Sequence, residues 1–352
     1  MEGIKTQIIE IKNENLDEEL IYKGAKIIKR GGLVAFPTET VYGLGANGLN
    51  PEAVRKIFQA KGRPQDNPLI LHVYNKSQVI PLVKSISKEV EKLMEKFWPG
   101  PLTILFKRSN LVPDIITGGL DTVAIRMPNN PIALKLIELS DVPLAAPSAN
   151  TSGKPSPTSA THVIEDLYGK IDLIIDGGDT GIGVESTVLD MSGDVPMILR
   201  PGGISIEELK EIIPNVEEDI AIIQGHENIV PKSPGQKYRH YAPRAEMLVF
   251  NGELENIIRA INDYSEKYTK AGKVVGIMAT DETIDRYDNQ IIVSLGNRKD
   301  KNTIAHNLFR TIRILDEKRV DIILAEGVET SSIGSAIMNR LTKAASGNII
   351  NV

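Results

Sequence analysis

The sequence predicts an α/β protein with two domains joined by a linker. With 352 residues, the chain exceeds the usual length of one domain. Short apolar runs that suit strands alternate with longer amphipathic patterns that suit helices, and this alternation stops near residue 213 and restarts at residue 245. Between them the composition shifts to acidic residues, prolines and a basic-aromatic group. We therefore assign residues 1–213 to the first domain, 214–244 to a linker and 245–352 to the second domain.

The first domain alternates strands and helices, which predicts a twisted mixed sheet covered by helices. Asn50 and Pro51 form a good helix start, because asparagine caps the first turn and proline loses no hydrogen bond there. Gly62 suits the left-handed residue that ends the same helix. The predicted strands are 7–11, 33–36, 69–73, 102–106, 123–127, 143–146, 173–176, 186–190 and 197–199. The predicted helices are 17–29, 51–60, 87–97, 131–139, 159–168 and 205–212.

The second domain shows a more regular alternation. This pattern predicts a smaller, Rossmann-like, doubly wound α/β domain with a largely parallel sheet. The predicted strands are 247–250, 274–279, 291–295 and 321–325, and the predicted helices are 254–270, 303–315 and 334–345. The loops carry no phosphate-binding signature, so we expect a supporting or regulatory role for this domain.

The composition excludes several classes of function. With no cysteine, the chain has no disulfides, thiolate metal sites or cysteine nucleophiles. The five histidines show no ligand spacing, so we expect no metal held by protein side chains. A net charge of −5 argues against stable binding of nucleic acid by bulk electrostatics. No apolar run is long enough to span a membrane, and the acidic N-terminal residues do not resemble a targeting peptide. We expect a cytoplasmic protein.

The residues after the strand 33–36 combine hydroxyls, one carboxylate and three glycines. Gly43, Gly45 and Gly48 fit the spacing of a dinucleotide-binding loop, but Pro37 and two threonines follow the strand and the helix begins only at Asn50. A Rossmann cofactor site therefore does not fit here. We interpret the glycines as the residues of a tight turn.

Lys61 and Arg63 lie at the end of the helix that starts at Pro51. Cations at this position complement the helix dipole, which is a structural explanation for the pair. The stiff loop that follows, with Asn67 between prolines 64 and 68, orients the two cations, as a polyphosphate site requires. Both explanations remain open.

Two predicted strands carry a single titratable residue each. His72 lies in an apolar strand, where a buried structural histidine is the more common case. Arg126 lies in an equally apolar strand and needs an anion, because an unpaired buried guanidinium costs several kcal/mol. A structural ion pair and a substrate carboxylate are equally compatible with this spacing.

Two polar loops follow later strands. Ser148 and Asn150 begin a loop of hydroxyls and prolines, a glycine-rich loop at 176–183 precedes Ser186, and Arg200 lies at a strand end. The glycines serve either as turn residues or to allow close approach of a ligand. The sequence contains neither a serine nucleophile elbow nor a Walker lysine motif. Such a set of cations and hydroxyls suits nucleotidyl transfer by positioning and electrostatics, without a covalent nucleophile.

These motifs together resemble the YrdC-type threonylcarbamoyl-adenylate synthases in their long two-domain form. The resemblance covers nearly the whole chain and includes the linker, where Gln236 replaces a residue that is more often methionine in the family. The motifs are FPTETVYGLG (36–45), KxR (61–63), NPL (67–69), WPGPLT (98–103), VAIRMP (123–128), APSAN (146–150), ESTVLD (185–190), LRPG (199–202) and SPGQKYRHYAP (233–243).

The resemblance implies an enzyme that makes L-threonylcarbamoyl-adenylate and pyrophosphate from L-threonine, bicarbonate and ATP. Mg²⁺ would accompany ATP, held by phosphates and water. Downstream proteins would transfer the threonylcarbamoyl group to the adenosine beside the tRNA anticodon. Residues 237–241 would close as a lid. By position in the family motifs, threonine would be held by Thr38, His72, Arg126 and Ser186. ATP would be held by Lys61, Arg63, Asn67, Thr117, Ser148, Asn150, Arg200 and Tyr241, with Thr117 the weaker candidate.

Two other functions fit a YrdC-like domain. A carbamoyltransferase would use such a module to pass a carbamoyl group to a partner protein, but those proteins normally add a zinc-finger segment, which a chain without cysteine cannot form. A binding module would recognise RNA on a concave basic face, and the acidic net charge weighs against it. Salt-sensitive RNA binding without ATP consumption would favour the second alternative.

Overall fold

The computed structural model describes residues 4–12, 14–219 and 240–352. The chain forms two compact units. The first comprises residues 1–152, 156–181 and 185–238, and the second comprises 153–155, 182–184 and 239–352. Two short loop segments from the predicted first domain thus belong to the second unit. One of them is held there by a hydrogen bond, 2.9 Å long, from the backbone N–H of Ala242 to the carbonyl of Gly153.

The first unit contains an eleven-stranded sheet. Its strands are β1 (Gln7–Glu10), β2 (Val34–Phe36), β3 (Gly43–Asn47), β4 (Ile70–His72), β5 (Leu102–Lys107), β6 (Thr122–Arg126), β7 (Leu144–Ala145), β8 (Leu173–Asp176), β9 (Thr187–Asp190), β10 (Met197–Arg200) and β11 (Glu217–Glu218). The helices are α1 (Glu18–Lys29), α2 (Pro51–Lys61), α3 (Lys88–Phe97), α4 (Asp114–Thr117), α5 (Pro131–Ser140), α6 (Ala160–Leu167) and α7 (Ile206–Lys210). Short 3₁₀ turns at Lys76–Gln78 and Ile80–Leu82 follow β4.

The strand directions in this sheet are mixed, as predicted. The order is β1-β8-β2-β3-β7-β4-β6-β5-β9-β10-β11. β4 and β6 run parallel, whereas β5 and β6 run antiparallel. The mixed α/β class predicted from the sequence is therefore confirmed for this unit.

Apolar residues on the two faces of this sheet form two separate cores. Along β2, Val34 and Phe36 join one core, and Ala35, between them, joins the other. α1 and α5 cover the first face, while α2, α3 and α6 cover the second. A smaller buried cluster, supplied by strand residues alone, contains Ile70, Leu105, Ala124, Val188 and Leu199.

Two of the three glycines after β2 form a strand, so the prediction of a tight turn was wrong for Gly43 and Gly45, whereas Gly48 lies in the turn that follows the strand. Gly43 and Gly45 belong to β3, which pairs antiparallel with β2. Neither has a positive φ. A Cβ atom on Gly45 would lie 2.7 Å from Cε1 of Phe36. Gly45 is therefore needed because the Phe36 ring packs closely against this strand, and sequence spacing alone does not reveal that contact.

The first sheet continues beyond the predicted domain end at residue 213. β11 pairs in parallel with β10 through Met197 and Glu217. The sheet thus extends into the segment 214–244 that the sequence predicts as a linker. Most of that segment, including the basic-aromatic residues 237–239, lies outside the described residues.

The second unit contains a parallel five-stranded sheet in the order β14-β13-β15-β12-β16. The strands are β12 (Glu246–Asn251), β13 (Val275–Ala279), β14 (Ile292–Ser294), β15 (Ile322–Glu326) and β16 (Ile349–Asn351). The helices are α8 (Leu254–Lys270), α9 (Lys301–Glu317) and α10 (Gly334–Ala344). The crossovers through α8 and α9 run in opposite directions along the sheet, so the right-handed crossover rule places these helices on opposite faces. The doubly wound arrangement is confirmed, and β16 is an additional edge strand.

Candidate active site

Three polar side chains lie in one row across neighbouring strands. His72 on β4 pairs with Arg126 on β6, and Arg126 pairs with Thr103 on β5. Residues directly opposite each other on adjacent strands project from the same face of a sheet. The three side chains therefore lie on one face of the sheet. The smaller apolar cluster that contains Ile70 and Leu105 lies on the same face. All three are buried.

Arg126 forms the centre of this row. Its Nε donates to the carbonyl of Gly100 at 3.2 Å, and its Nη1 donates to Oγ1 of Thr40 at 2.9 Å. Nη2 lies 2.6 Å from Oε1 of Glu39. This last contact is an ion pair without an aligned N–H, because Nη2 and both Glu39 oxygens lack a hydrogen bond. The sequence left open whether Arg126 meets a structural carboxylate or a ligand, and in this structure it meets Glu39.

His72 is neutral at physiological pH. Burial, followed by the nearby positive charge of Arg126, lowers the pKa of His72 to about 3. Its ring meets the edge of the Phe36 ring with the centroids 6.5 Å apart, and its Nδ1 is buried without a hydrogen-bond partner. A buried polar atom without a partner is uncommon in a folded protein and is consistent with a site that a ligand completes.

Thr38 shapes the turn that presents Glu39. Its hydroxyl donates to the carbonyl of Val41 at 2.6 Å and accepts from the backbone N–H groups of Thr40 and Val41. The Thr38 and Thr40 hydroxyls also lie 2.9 Å apart. Since Thr40 contacts Arg126, the turn and the arginine form one hydrogen-bonded group.

Ser186 and Arg200 extend the row at its other end. The Ser186 hydroxyl lies 2.8 Å from the Thr103 hydroxyl. Arg200 donates from Nε and Nη2 to the Ser186 carbonyl and from Nη2 to the Ser186 hydroxyl, at 3.0 to 3.2 Å. A Cβ atom on Gly202 would lie 2.2 Å from the backbone nitrogen of Thr187, so only glycine allows this strand end to approach Ser186.

Lys61 lies in a second group, around the loop that follows β7. Its ammonium donates to the carbonyls of Ser148 and Asn150, each at 2.5 Å, and lies 3.4 Å from Oδ1 of Asn150. Burial first, and then the charge of Arg63, lower the pKa of Lys61 well below its ordinary value, and Asp166 opposes this shift. Lys61 therefore holds the Ser148–Asn150 loop in place, a role that the sequence did not indicate.

The loop carrying Ser148 is tied to the strand that follows the Thr38 turn. Gly43 and Ser148 form a β-bridge, and the N–H of Ala149 donates to the carbonyl of Tyr42 at 2.8 Å. The Ser148 hydroxyl donates to Oδ1 of Asn150 at 2.6 Å. β3 thus connects the Lys61 group to the Arg126 group within the first unit.

Arg63, Asn67 and Thr117 are the remaining predicted ATP-binding residues of the first unit. Arg63 Nη2 donates to the carbonyl of Pro68 at 3.1 Å. Asn67 is buried and its Oδ1 has no partner, while the Thr117 hydroxyl donates to the carbonyl of Asp114 at 3.3 Å. Asn67 lies on the predicted stiff loop, Arg63 directly precedes it, and Gly118 packs against the carbonyl of Asp66 in that loop. The structure therefore brings these three residues close together.

Tyr241 lies in the second unit. Its ring stacks on Phe309 with the centroids 5.0 Å apart, and the guanidinium of Arg340 lies over it at 5.5 Å. The Tyr241 side chain is buried and its backbone is left-handed, with φ of 62°. Its described contacts anchor the start of the second unit. Its predicted role at ATP stays a prediction, as does the lid formed with residues 237–239.

Sequence reasoning missed several residues of this site. Glu39, Thr40 and Thr103 contact or pair with Arg126, but the sequence assigned none of these three residues a role. The hydroxyl of Tyr42 donates to the carbonyl of Gly178 and accepts from the N–H of Gly177, which holds the glycine-rich loop. The signal that could have found Glu39 was its position in the hydroxyl-rich turn at a strand end.

Comparison with known proteins identifies the family. A sequence profile described as "Telomere recombination" matches residues 26–202, and one described as "Threonylcarbamoyl-AMP synthase, C-terminal domain" matches residues 204–346. A threonylcarbamoyl-AMP synthase from Pyrococcus abyssi is 52% identical over 99% of this chain and 100% of its own length. The chain belongs to the threonylcarbamoyl-AMP synthase family.

Further relatives agree with this assignment. A threonylcarbamoyl-AMP synthase of Bacillus subtilis is 45% identical over 98% of this chain and 99% of its own length. The crystal structure of P. abyssi Sua5 complexed with L-threonine superposes with a TM-score of 0.94 at 51% identity, covering 99% of this chain and all of that one. The family resemblance drawn from the sequence motifs is confirmed, as is the two-domain form.

Two kinds of feature are absent from the described residues. No group of three or more His, Cys, Asp or Glu side chains is placed to hold a metal ion within 4–12, 14–219 and 240–352. Across the same part of the chain, no helix is both long and apolar enough to cross a membrane.

Proposed function

We propose that this protein makes L-threonylcarbamoyl-adenylate and pyrophosphate from L-threonine, bicarbonate and ATP. The observation that carries the proposal is the buried row of His72, Arg126, Thr103 and Ser186, in a chain whose 51% identical structural relative was crystallised with L-threonine. The row offers one cation, one neutral imidazole and two hydroxyls. These groups match the carboxylate and the side-chain hydroxyl of threonine.

Arg126 is the residue that binds the threonine carboxylate in this proposal. Its Nε and Nη1 already donate to Gly100 and Thr40. Nη2 is therefore the nitrogen that donates to the substrate carboxylate in this proposal. A guanidinium in a buried position binds a carboxylate strongly because water competes little there. Thr38, His72 and Ser186 surround the rest of the amino acid.

ATP is bound by the Lys61 group together with nearby cations and amides, including Arg200 at the end of the Arg126 row. Arg63 and Arg200 supply permanent positive charge, and Ser148, Asn150, Asn67 and Thr117 supply hydroxyl and amide groups. Lys61 acts in two ways, since it fixes the Ser148–Asn150 loop and adds positive charge beneath it. The charge of a triphosphate would raise the pKa of Lys61 toward its ordinary value and keep the ammonium protonated.

Mg²⁺ would enter with ATP as part of the substrate complex. The polar groups of this site are mostly cations, hydroxyls and amides, a set that fits phosphate oxygens better than a bare divalent ion. When present with ATP, such an ion would be held by phosphate oxygens and water and would supply positive charge to offset that of the pyrophosphate. The protein residues orient the triphosphate.

The proposed reaction has two steps. The threonine amine attacks the carbon of bicarbonate, a C–N bond forms, and the displaced hydroxide leaves as water with an amine proton. A carbamate oxygen then attacks the α-phosphorus of ATP, and the bond to the β-phosphate oxygen breaks to release pyrophosphate. Both steps gain from close placement of the reactants and from exclusion of water, because the carbamate and the adenylate hydrolyse readily.

The wider role of the product is also a proposal. A reactive acyl-adenylate requires an acceptor, and the family resemblance names the adenosine beside the tRNA anticodon, reached through separate transfer proteins. Such a role places the protein in the cytoplasm. The net charge of −5 favours transfer through a partner over stable tRNA binding by this chain.

The experiment that tests the proposal measures pyrophosphate release by the purified full-length protein. Complete mixtures contain ATP, Mg²⁺, L-threonine and bicarbonate, and each component is omitted in turn. We expect release only when all four are present. Release without threonine and bicarbonate would indicate a general nucleotide hydrolase, and RNA binding without any release would favour the binding-module alternative.

A further inference from the structure

The ion pair between Glu39 and Arg126 lacks the aligned hydrogen bonds that a structural ion pair usually has. The charged atoms lie 2.6 Å apart, yet Arg126 Nη2 and both carboxylate oxygens of Glu39 lack an aligned hydrogen bond. A stable buried ion pair normally satisfies its remaining donors and acceptors. The other two nitrogens of Arg126 do have aligned partners, in Thr40 and Gly100. The imperfect contact is therefore confined to the one nitrogen that faces Glu39.

Glu39 is also held in a way that allows a small movement. Its backbone lies in the turn fixed by the Thr38 hydroxyl, so the position of its Cα is set by local hydrogen bonds. Its side chain makes no aligned hydrogen bond and is 13% exposed, whereas that of Arg126 is 4% exposed. The carboxylate can thus rotate away while the guanidinium stays in place.

An α-amino acid carries an ammonium beside its carboxylate. If the substrate carboxylate takes the place of Glu39 at Nη2 of Arg126, its ammonium lies within reach of the displaced Glu39 carboxylate. The charges balance, because the Glu39–Arg126 pair is replaced by two pairs. Arg126 then pairs with the substrate carboxylate, and Glu39 pairs with the substrate ammonium. The other titratable group of the row, His72, is neutral and does not compete for either charge.

We propose that Glu39 occupies the carboxylate position of the substrate at Arg126 in the free protein and, once displaced by L-threonine, accepts the proton of its ammonium. This inference rests on the proposed function. In the proton transfer, the N–H bond of the ammonium breaks and the proton forms a bond with a Glu39 oxygen, leaving a neutral amine. The amine then attacks bicarbonate as described above, and water leaves. Glu39 gives up the proton once the product has left and its carboxylate pairs with Arg126 again.

The test is the Glu39→Gln variant, which keeps the shape of the side chain but cannot accept the proton. Threonine binding, measured by calorimetry without ATP and bicarbonate, should be as tight as in wild type or tighter, because a competing anion is removed. Pyrophosphate release near neutral pH should fall about 100-fold or more, as is usual when a general base is lost. Glu207→Gln, an exposed residue on α7, is the matched control and should leave both measurements unchanged.

The pH profile separates a proton acceptor from a structural partner. Raising the pH from about 7 to about 9 supplies free amine from solution. The ratio of wild-type to Glu39→Gln rates should then fall steeply. A ratio that stays constant with pH, or a variant that loses threonine binding together with turnover, would show that Glu39 only positions Arg126.

A second variant covers the case in which Glu39→Gln does not fold. Glu39→Asp keeps the carboxylate but shortens it, so it should bind threonine, turn over more slowly and keep the wild-type pH profile. Loss of threonine binding in Glu39→Asp would overturn the inference. If the wild-type protein itself releases no pyrophosphate, the proposed function fails. If the wild type is active and Glu39→Gln is equally active, only the inference about Glu39 fails.

Discussion

At the scale of single residues, the central feature is a buried guanidinium that keeps one nitrogen available. Arg126 is fixed at Nε and Nη1 by neutral groups, and its Nη2 contacts the carboxylate of Glu39. Neutral His72 and the hydroxyls of Thr103 and Ser186 complete the row. In the proposed function, this arrangement allows Arg126 to be buried with Glu39 as its partner and to bind the carboxylate of threonine.

Arg126→Met should abolish this function and weaken the fold. Threonine affinity should fall about 100-fold or more, because a buried charge pair with the substrate is lost. The Glu39 charge is left without its partner, so the free energy of unfolding should decrease by about 3 kcal/mol. Calorimetry and urea unfolding measure the two effects.

The double variant Arg126→Met with Glu39→Gln tests the origin of that instability. It should regain part of the lost stability, because no unpaired charge remains, but it should not regain threonine binding. If the double variant is less stable than Arg126→Met alone, the two side chains do not act as a charge pair.

Lys61→Ala tests the second group. Removal of the ammonium leaves the Ser148 and Asn150 carbonyls without their shared donor and removes positive charge from the phosphate site. Pyrophosphate release should fall by at least about 100-fold, whereas threonine affinity should change by less than about 3-fold. Undiminished turnover would contradict the assignment of this group to ATP.

At the scale of elements, the role of β3 depends on its glycines. Gly45 leaves room for the Phe36 ring, and that ring in turn contacts His72 at 6.5 Å between centroids. Gly45→Ala should lower the free energy of unfolding by about 1–3 kcal/mol, because the new Cβ would lie 2.7 Å from the ring. Urea unfolding, followed by the fluorescence of Trp98, the only tryptophan, measures the change.

Gly43→Ala is the control for this effect. Its Cβ would lie 3.3 Å from the Phe36 ring, a contact that a small adjustment relieves. Both glycines have ordinary negative-φ backbones, so the comparison isolates steric overlap with the ring. Equal destabilisation in the two variants would contradict this explanation.

Elements with strong local signals could be predicted from the sequence, and those set by distant contacts could not. α2 has the predicted Asn50 cap, which accepts from the N–H groups of Glu52 and Ala53, and the predicted left-handed Gly62. β3 was missed because its glycine-rich sequence has a low strand propensity, and only packing on Phe36 makes it a strand. The short strand β11 was missed because its two residues carry no apolar pattern.

The same division applies to the site. The motifs predicted Arg126, His72, Ser186 and Lys61 as residues of interest, but they did not reveal the partners of these residues. Arg126 contacts Glu39, and Lys61 contacts the Ser148–Asn150 loop. These contacts join residues 87 to 89 positions apart along the chain, and they depend on the geometry of the turns that carry the partners. Sequence spacing contains no information on such contacts.

At the scale of the whole molecule, His72 links the site to stability against acid. The pKa of His72 is about 3 in the folded protein, against 6.5 as its ordinary value. As the pH falls below 6.5, the unfolded chain binds a proton that the folded chain excludes, so stability decreases with falling pH through this range. Because of this residue, the free energy of unfolding of the wild type should decrease by about 2 kcal/mol between about pH 7 and pH 5.

His72→Gln isolates this contribution. Its loss of unfolding free energy between about pH 7 and pH 5 should be about 2 kcal/mol smaller than that of the wild type. Urea unfolding at both values, followed by the fluorescence of buried Trp98, reports on the first unit. Identical pH dependence in the two proteins would mean that His72 can take up a proton in the folded state.

The two units differ in what they contribute. The first holds every predicted threonine-binding residue and every predicted ATP-binding residue except Tyr241, and the second is a parallel α/β unit that includes the loop segments 153–155 and 182–184. The segment 153–155 follows Asn150 closely, and 182–184 precedes Ser186 closely. Both segments of the second unit are therefore adjacent in sequence to residues predicted to bind substrate.

The most direct test of the account follows the carbon of bicarbonate. The full-length protein is incubated with ATP, Mg²⁺, L-threonine and ¹³C-bicarbonate, and the nucleotide product is identified by mass spectrometry while pyrophosphate is quantified. We expect an adenylate that carries threonine and the labelled carbon, formed in equal amount to pyrophosphate. Pyrophosphate formed together with unmodified AMP, or an adenylate that lacks the label, would contradict it.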